Sequence, residues 1–284
     1  MKRRTFRQIA RRAKEAVVLR LPQLGRASAD KHELQQPTGP CAEPPKDTSR
    51  DAVVGASAKR LDLSEFIRFG SMVFDIGAFE GFKTLEYLKL GASVVCFEPN
   101  RESARVLQDK FKDNPHVRIE KCGLSDHEGV LLFYPSTVRA QSTFSQSLKE
   151  APWFSREQWS PAPYEVEITT IEKMVENYGL PGLVKIDVEG VEASVVRGMG
   201  CARPRYLSFE FYPGFPAAYR ECIDILGAFG YAKYNYIING IVQNQESDEF
   251  RFDSWVDREL LLSALSEEPR RPGMDWGDVY ATLV

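Results

Sequence analysis

From about residue 60 onward the chain alternates short apolar runs with stretches of helical period. Residues 71–76 form an apolar run ending in Asp-Ile-Gly, and residues 83–90 follow with Leu85, Leu88 and Leu90 at helical spacing. Residues 93–97 (SVVCF) are β-branched and apolar throughout, as in a strand covered on both faces. Residues 102–111 are amphipathic, while 117–122 and 130–134 read as strands. The same alternation resumes with helix at 171–178, strand at 183–188, helix at 189–199, strand at 206–211 and helix at 217–229. Residues 231–237 and 241–243 then flank Asn239-Gly240, a two-residue hairpin signal. Repeated strand–helix units predict a doubly wound α/β fold with a mostly parallel sheet, closed by an antiparallel C-terminal hairpin.

The first sixty residues lack this rhythm. Residues 1–21 carry Lys2, Arg3, Arg4, Arg7, Arg11, Arg12, Lys14 and Arg20 against the single acid Glu15. Phe6, Ile9, Ala13 and Val17 recur at roughly helical spacing, so a basic amphipathic segment is expected. It has no continuous apolar core of the secretory type. A transit peptide, a helix resting through residues 1–20 on an anionic membrane surface, and a solvated tail all remain open. Residues 22–58, rich in Pro, Gln, Ser and Lys, bury too little apolar surface to offset ordering and read as a disordered linker. Residues 59–284 are left as the folded domain.

Composition narrows the class. A net charge of −3 gives no basic surface for nucleic acid, and no run reaches the roughly 18–20 apolar residues of a membrane helix. Five cysteines (Cys41, Cys96, Cys122, Cys201 and Cys222) show no metal-type spacing, and Cys96 and Cys122 sit inside apolar runs. Reduced thiols in a cytoplasmic setting are the expectation.

The candidate chemistry begins at residues 73–81 (VFDIGAFEG), where a strand enters a Gly-containing turn before a helix. Gly77 and Gly81 permit turns without a Cβ clash and close approach to a ligand beyond the strand ends. The pattern D-x-G-x-x-x-G lacks the second glycine of a dinucleotide fingerprint, which favours a nucleoside without phosphates. The next strand ends Cys96-Phe97-Glu98-Pro99; an acid there can accept both hydroxyl protons of a ribose, and Pro99 stops the strand. A third turn, Gly123-Leu124-Ser125-Asp126, would stand beside the first two, with Asp126 facing an adenine edge.

DIGAFEGFKT, VVCFEPN, GLSDHEG and above all VKIDVEGVE resemble the FkbM-type methyltransferases, class I enzymes of Rossmann-like fold, over residues 70–240. The resemblance implies an O-methyltransferase that uses S-adenosylmethionine on a hydroxyl of a sugar, glycolipid or secondary metabolite. It implies a cofactor site of Asp75, Gly77, Ala78 and Gly81 at the amino-acid end, Glu98 and Pro99 at the ribose, and Ser125 and Asp126 near adenine. Cys122-Gly123 departs from the alanine-like residues more common there, which bears on the adenine contacts.

A hydroxyl acceptor must lose a proton, so a base is needed near the donor methyl. Asp187, Glu189 and Glu210, at the ends of two strands that reach the catalytic face, are the candidates; a divalent metal held by the three is an alternative and not the favoured one. Glu189 and Glu192 also suit the first turn of the expected helix. His116 and His127 fall in expected turns and read as surface residues. Residues 140–160, with Trp153, Phe154 and Trp159, read as a loop over the acceptor or a loop packed on the sheet. Residues 250–284 are too apolar for a linker and should pack back on the domain. The rival activities are a nicotinamide-dependent oxidoreductase, against which no Tyr-x-x-x-Lys stands in the chain, and a non-catalytic cofactor-binding module.

Overall fold

The computed structural model describes residues 61–151, 158–160, 162–240, 249–268 and 275–283. The expected basic segment and linker, together with Cys41 and residues 241–243, lie outside them. A 3-10 turn at Leu63–Glu65 leads in, and Phe66 and Ile67 just after it are buried. There follow β1 (Met72–Ile76), α1 (Phe82–Lys89), β2 (Ser93–Phe97), α2 (Arg101–Phe111), β3 (Val117–Glu120), β4 (Gly123–Leu124) and β5 (Gly129–Phe133). The middle of the chain holds α3 (Gln146–Lys149), β6 (Tyr164–Thr169), α4 (Ile171–Tyr178), β7 (Leu183–Ile186) and α5 (Glu192–Arg197). The last part holds β8 (Tyr206–Phe211), α6 (Pro216–Ala228), β9 (Tyr231–Gly240), α7 (Arg258–Glu267) and β10 (Asp275–Leu283).

Seven strands form one sheet in the order β3-β2-β1-β7-β8-β10-β9. The first five are parallel, and β10 runs antiparallel to both of its neighbours. This is a Rossmann-like doubly wound sheet ending in an antiparallel hairpin. β9 runs straight through Asn239, whose partner is Trp276, so the antiparallel partner of β9 among the described residues is β10. The apolar run VLLFY does not join this sheet either; it becomes β5 of a separate three-stranded sheet, β4-β6-β5.

The apolar runs of the central strands are explained by burial on both faces. Successive residues point to opposite sides of a strand, so Val73 packs with Val94, Leu107 and Phe111 under α1 and α2. Phe74 and Ile76 face the other way, into a core with Val184, Phe209, Ile223 and Leu261. Asn100 starts α2 by accepting from the Glu102 and Ser103 amides, and Thr170 and Asp257 cap α4 and α7 in the same manner. The first two caps lie within three residues of the ends of β2 and β6 and fix where the chain leaves those strands. Among the described residues, Cys96, Cys122, Cys201 and Cys222 form no disulfide. Among the described residues no helix is long and apolar enough to cross a membrane.

Candidate active site

Beyond the carboxyl ends of β1, β2 and β7 the strand order reverses, and a cleft opens there. Its empty space, continuous with solvent, is about 720 Å³, with Gly77, Glu98, Pro99, Asp187 and Glu189 in its lining.

The β1 turn is shaped by two glycines with different duties. Gly77 has φ 77°, and a Cβ there would stand 1.7 Å from the Asp187 carbonyl oxygen, so β1 and β7 approach at their ends only because this residue has no side chain. Gly81, at φ 73°, does not line the cleft. Its missing Cβ makes room for Phe111 and Leu107 of α2. Ala78 is likewise buried beneath the turn, and its amide donates to Phe97 O. Phe79, which does line the cleft, adopts φ 50°, a left-handed conformation costly for a residue with a Cβ.

Asp75 is fully buried behind this turn rather than in it. Its Oδ2 accepts from Thr84 Oγ1 at 2.6 Å, and Lys185 Nζ lies 3.8 Å from its Oδ1. Burial raises its pKa against the pull of Lys185 and Thr84. Lys185 reaches the cleft side as well, donating to Asp187 Oδ2 at 2.9 Å. Burial opposes the ammonium charge, but Asp187 and Asp75 outweigh it and hold the lysine protonated above its ordinary range.

Glu98 lies at the tip of β2 and lines the cleft, 6% exposed. Its Oε2 accepts from the Phe79 amide and its Oε1 from the Asn100 amide, each at 2.7 Å. Desolvation dominates these bonds and pushes its pKa up to about 8. Pro99 beside it receives a hydrogen bond from Tyr164 of β6, so the small sheet braces the strand end.

Ser125 and Asp126 follow β4 but do not line the cleft. The Ser125 amide bonds Thr169 O, and Asp126 accepts from His127 at 2.7 Å and from Arg197 at 3.3 Å. Partial burial raises the Asp126 pKa, but the hydrogen bonds from His127 and Arg197, with the Arg197 charge, prevail and lower it. The wall expected of them is built instead by Phe97, Leu124, Phe133 and Phe144. Phe133 and Phe144 meet edge to face with centroids 4.9 Å apart. Arg139, paired with Glu80, completes the rim over Phe79. Phe79, Phe144 and Arg139 carry no sequence signal, because they reach the cleft only through the path of a loop and a turn.

The three candidate bases are brought together. One carboxylate oxygen from each of Asp187, Glu189 and Glu210 lies within 4.8 Å of the others, a spacing that a hard divalent cation can share. The expected helix at residue 189 begins only at Glu192, because residues 187–191 form a loop. In it Glu189 has φ 57°, held by Thr143 Oγ1 donating to its carbonyl at 2.6 Å. Tyr212, absent from the sequence reading although it directly follows β8, donates its hydroxyl to Glu189 Oε2 at 2.9 Å. Glu192 turns back to accept from the Gly190 amide at 3.0 Å, and burial pushes its pKa up to about 7.

The cleft suits a cationic nucleoside. Glu98 offers an acceptor for ribose hydroxyls, the four apolar residues offer a wall for a base, and the acids at the rim complement a positive charge. A pyrophosphate in the same cleft would meet carboxylates instead of a second glycine and a free helix N-terminus. The fold and site thus define an S-adenosylmethionine-dependent methyltransferase of the Rossmann-like class. The model of the methyltransferase FkbM domain matches residues 75–237, more than half of the chain, and the chain belongs to that family. No match was found among curated proteins. Similar solved structures include the C-terminal domain of precorrin-6Y C5,15-methyltransferase from Rhodobacter capsulatus (13% identity, 78% of this chain and 85% of that one, TM-score 0.39). The precorrin-6y C5,15-methyltransferase of Geobacter metallireducens (10%, 81% and 94%, TM-score 0.41) is another. A third is Aeropyrum pernix fibrillarin with natively bound S-adenosyl-L-methionine (10%, 76% and 67%, TM-score 0.41).

Proposed function

We propose that this protein methylates a hydroxyl oxygen of a small-molecule or saccharide-bearing acceptor, with Glu189 as the base. The single observation that carries this reading is the meeting of Asp187, Glu189 and Glu210 within 4.8 Å, where the cleft adjoins a second cavity. S-adenosylmethionine, when bound, supplies a methyl group already activated by its sulfonium. Gly77 gives that cofactor's amino-acid end close access to the backbone, Glu98 takes the ribose hydroxyls, and the wall of Phe97, Leu124, Phe133 and Phe144 takes the adenine.

The remaining task of the chain is alignment and removal of one proton. Glu189 takes the acceptor's hydroxyl proton, while the Tyr212 hydroxyl fixes the orientation of its carboxylate. Asp187, ion-paired with Lys185, faces the positive charge of the donor. With Lys185 on Asp187 and Tyr212 on Glu189, the proposed mechanism routes no step through a divalent cation. The protein is proposed to work in the cytoplasm, with residues 1–20 as a peripheral membrane contact.

Glu189→Gln tests the assignment. It is expected to lower kcat by about 100-fold or more while S-adenosylhomocysteine affinity stays within about twofold of wild type. A variant that turns over at the wild-type rate removes Glu189 from the mechanism.

A further inference from the structure

The loop 187–191 and the first residue of α5, Glu192, separate two spaces. Asp187, Val188 and Glu189 face the cofactor cleft, while Gly190 and Glu192 face a neighbouring cavity whose empty space, continuous with solvent, is about 970 Å³. Glu210, the third member of the carboxylate cluster, lines that second cavity.

Its walls are aromatic. Phe209, Phe211 and Phe215 line it together with Tyr212 and Tyr219, and Leu148 of α3 lies against Gly190 at the border. Phe211 meets Tyr219 edge to face at 5.7 Å, and Tyr212 meets Phe215 likewise at 6.0 Å. Such walls offer faces and edges to a further ring. Tyr219 is 2% exposed, and its hydroxyl has no hydrogen-bond partner among the described residues. A buried hydroxyl left so costs free energy that a polar atom of a bound molecule would recover. A free sugar fares badly here, since its several hydroxyls would be stripped of water against phenyl rings.

We infer that this cavity binds the acceptor, and that the acceptor is a hydroxylated aromatic compound. Its ring lies among Phe209, Phe211 and Phe215, its reactive hydroxyl faces Glu210 and Glu189, and a second polar substituent meets Tyr219. The inference rests on the methyl-transfer reading for the role of the bound molecule, but the binding itself is measurable without turnover.

The test is calorimetric titration of the full chain with 2-naphthol, cyclohexanol and methyl α-glucoside, with and without S-adenosylhomocysteine. 2-Naphthol is expected to bind about tenfold or more tightly than either control. Ala218→Trp, which adds an indole at the exposed mouth, and Phe215→Ala, which removes one wall, are each expected to weaken 2-naphthol by about tenfold and leave S-adenosylhomocysteine affinity unchanged. A second hydroxyl, as in 2,7-dihydroxynaphthalene, is expected to improve affinity by about threefold in wild type and not in Tyr219→Phe. Equal binding of 2-naphthol and cyclohexanol, tighter binding of the glucoside, or indifference to both wall variants overturns the inference. Absence of S-adenosylhomocysteine binding with 2-naphthol binding intact instead overturns the methyltransferase reading alone.

Discussion

The Lys185 ammonium lies 2.9 Å from the Asp187 carboxylate and 3.8 Å from Asp75, so this cation is shared between a fully buried acid behind the turn and an acid on the cleft. Replacing it by Met takes from Asp75 and Asp187 the ammonium that lies beside both. Removing one partner of a buried ion pair typically costs about 3–5 kcal/mol. Lys185→Met should therefore lose several kcal/mol in urea denaturation at neutral pH. The loss should shrink as pH falls, because Asp75, its pKa raised by burial, takes up a proton more easily than an exposed carboxylate. A variant as stable as wild type at neutral pH would show that the pair contributes nothing.

Glu98 is held by two backbone amides and keeps lone pairs towards the cleft. Glu98→Ala should weaken S-adenosylhomocysteine by about tenfold or more in a calorimetric titration, and Glu98→Gln less, because an amide still accepts one hydroxyl proton. Unchanged affinity in Glu98→Ala refutes the ribose assignment.

The same burial gives a pH dependence. Glu98 and Glu192 have folded pKa values of about 8 and about 7, both above the ordinary 4.5. A carboxyl raised in this way favours the folded state while protonated. Its contribution is complete below about pH 4.5 and is lost as pH rises through about 7 to 8. The melting temperature of ligand-free protein should fall across this window more in wild type than in Glu98→Gln, which carries no charge to bury. Parallel profiles for the two proteins would contradict the raised pKa.

Much of this site was legible because it lies where apolar runs stop. SVVCF ends at Glu98 and LVKI ends at Asp187, and a parallel sheet delivers both ends to the same crevice, so strand identity alone brings them near Gly77. What was not legible depends on packing between distant segments. Gly81 answers to Phe111 and Leu107, thirty and twenty-six residues away, and nothing local distinguishes that need from a ligand's. Ser125 and Asp126 have the composition of an adenine turn, but Arg197 from α5 draws Asp126 to the outside. β6 alternates in Tyr-Glu-Val-Glu-Ile-Thr, a half-buried pattern that period two would have revealed. β10, reading Asp-Trp-Gly-Asp-Val-Tyr-Ala-Thr-Leu, is a strand chiefly because β8 and β9 flank it.

The acid cluster makes a prediction about metals. Since Lys185 already bonds Asp187 and Tyr212 already bonds Glu189, chelation with EDTA should leave turnover unchanged. Loss of activity on chelation, restored by magnesium or manganese, would reassign the three acids as ligands.

The central claim is that the cleft beyond β1, β2 and β7 holds S-adenosylmethionine, and calorimetric titration of the purified protein with S-adenosylhomocysteine tests it most directly, with NAD and NADP as controls. Micromolar binding of S-adenosylhomocysteine alone, weakened in Glu98→Ala, is the result predicted. Binding of a nicotinamide cofactor in its place, or of none of the three, would contradict it.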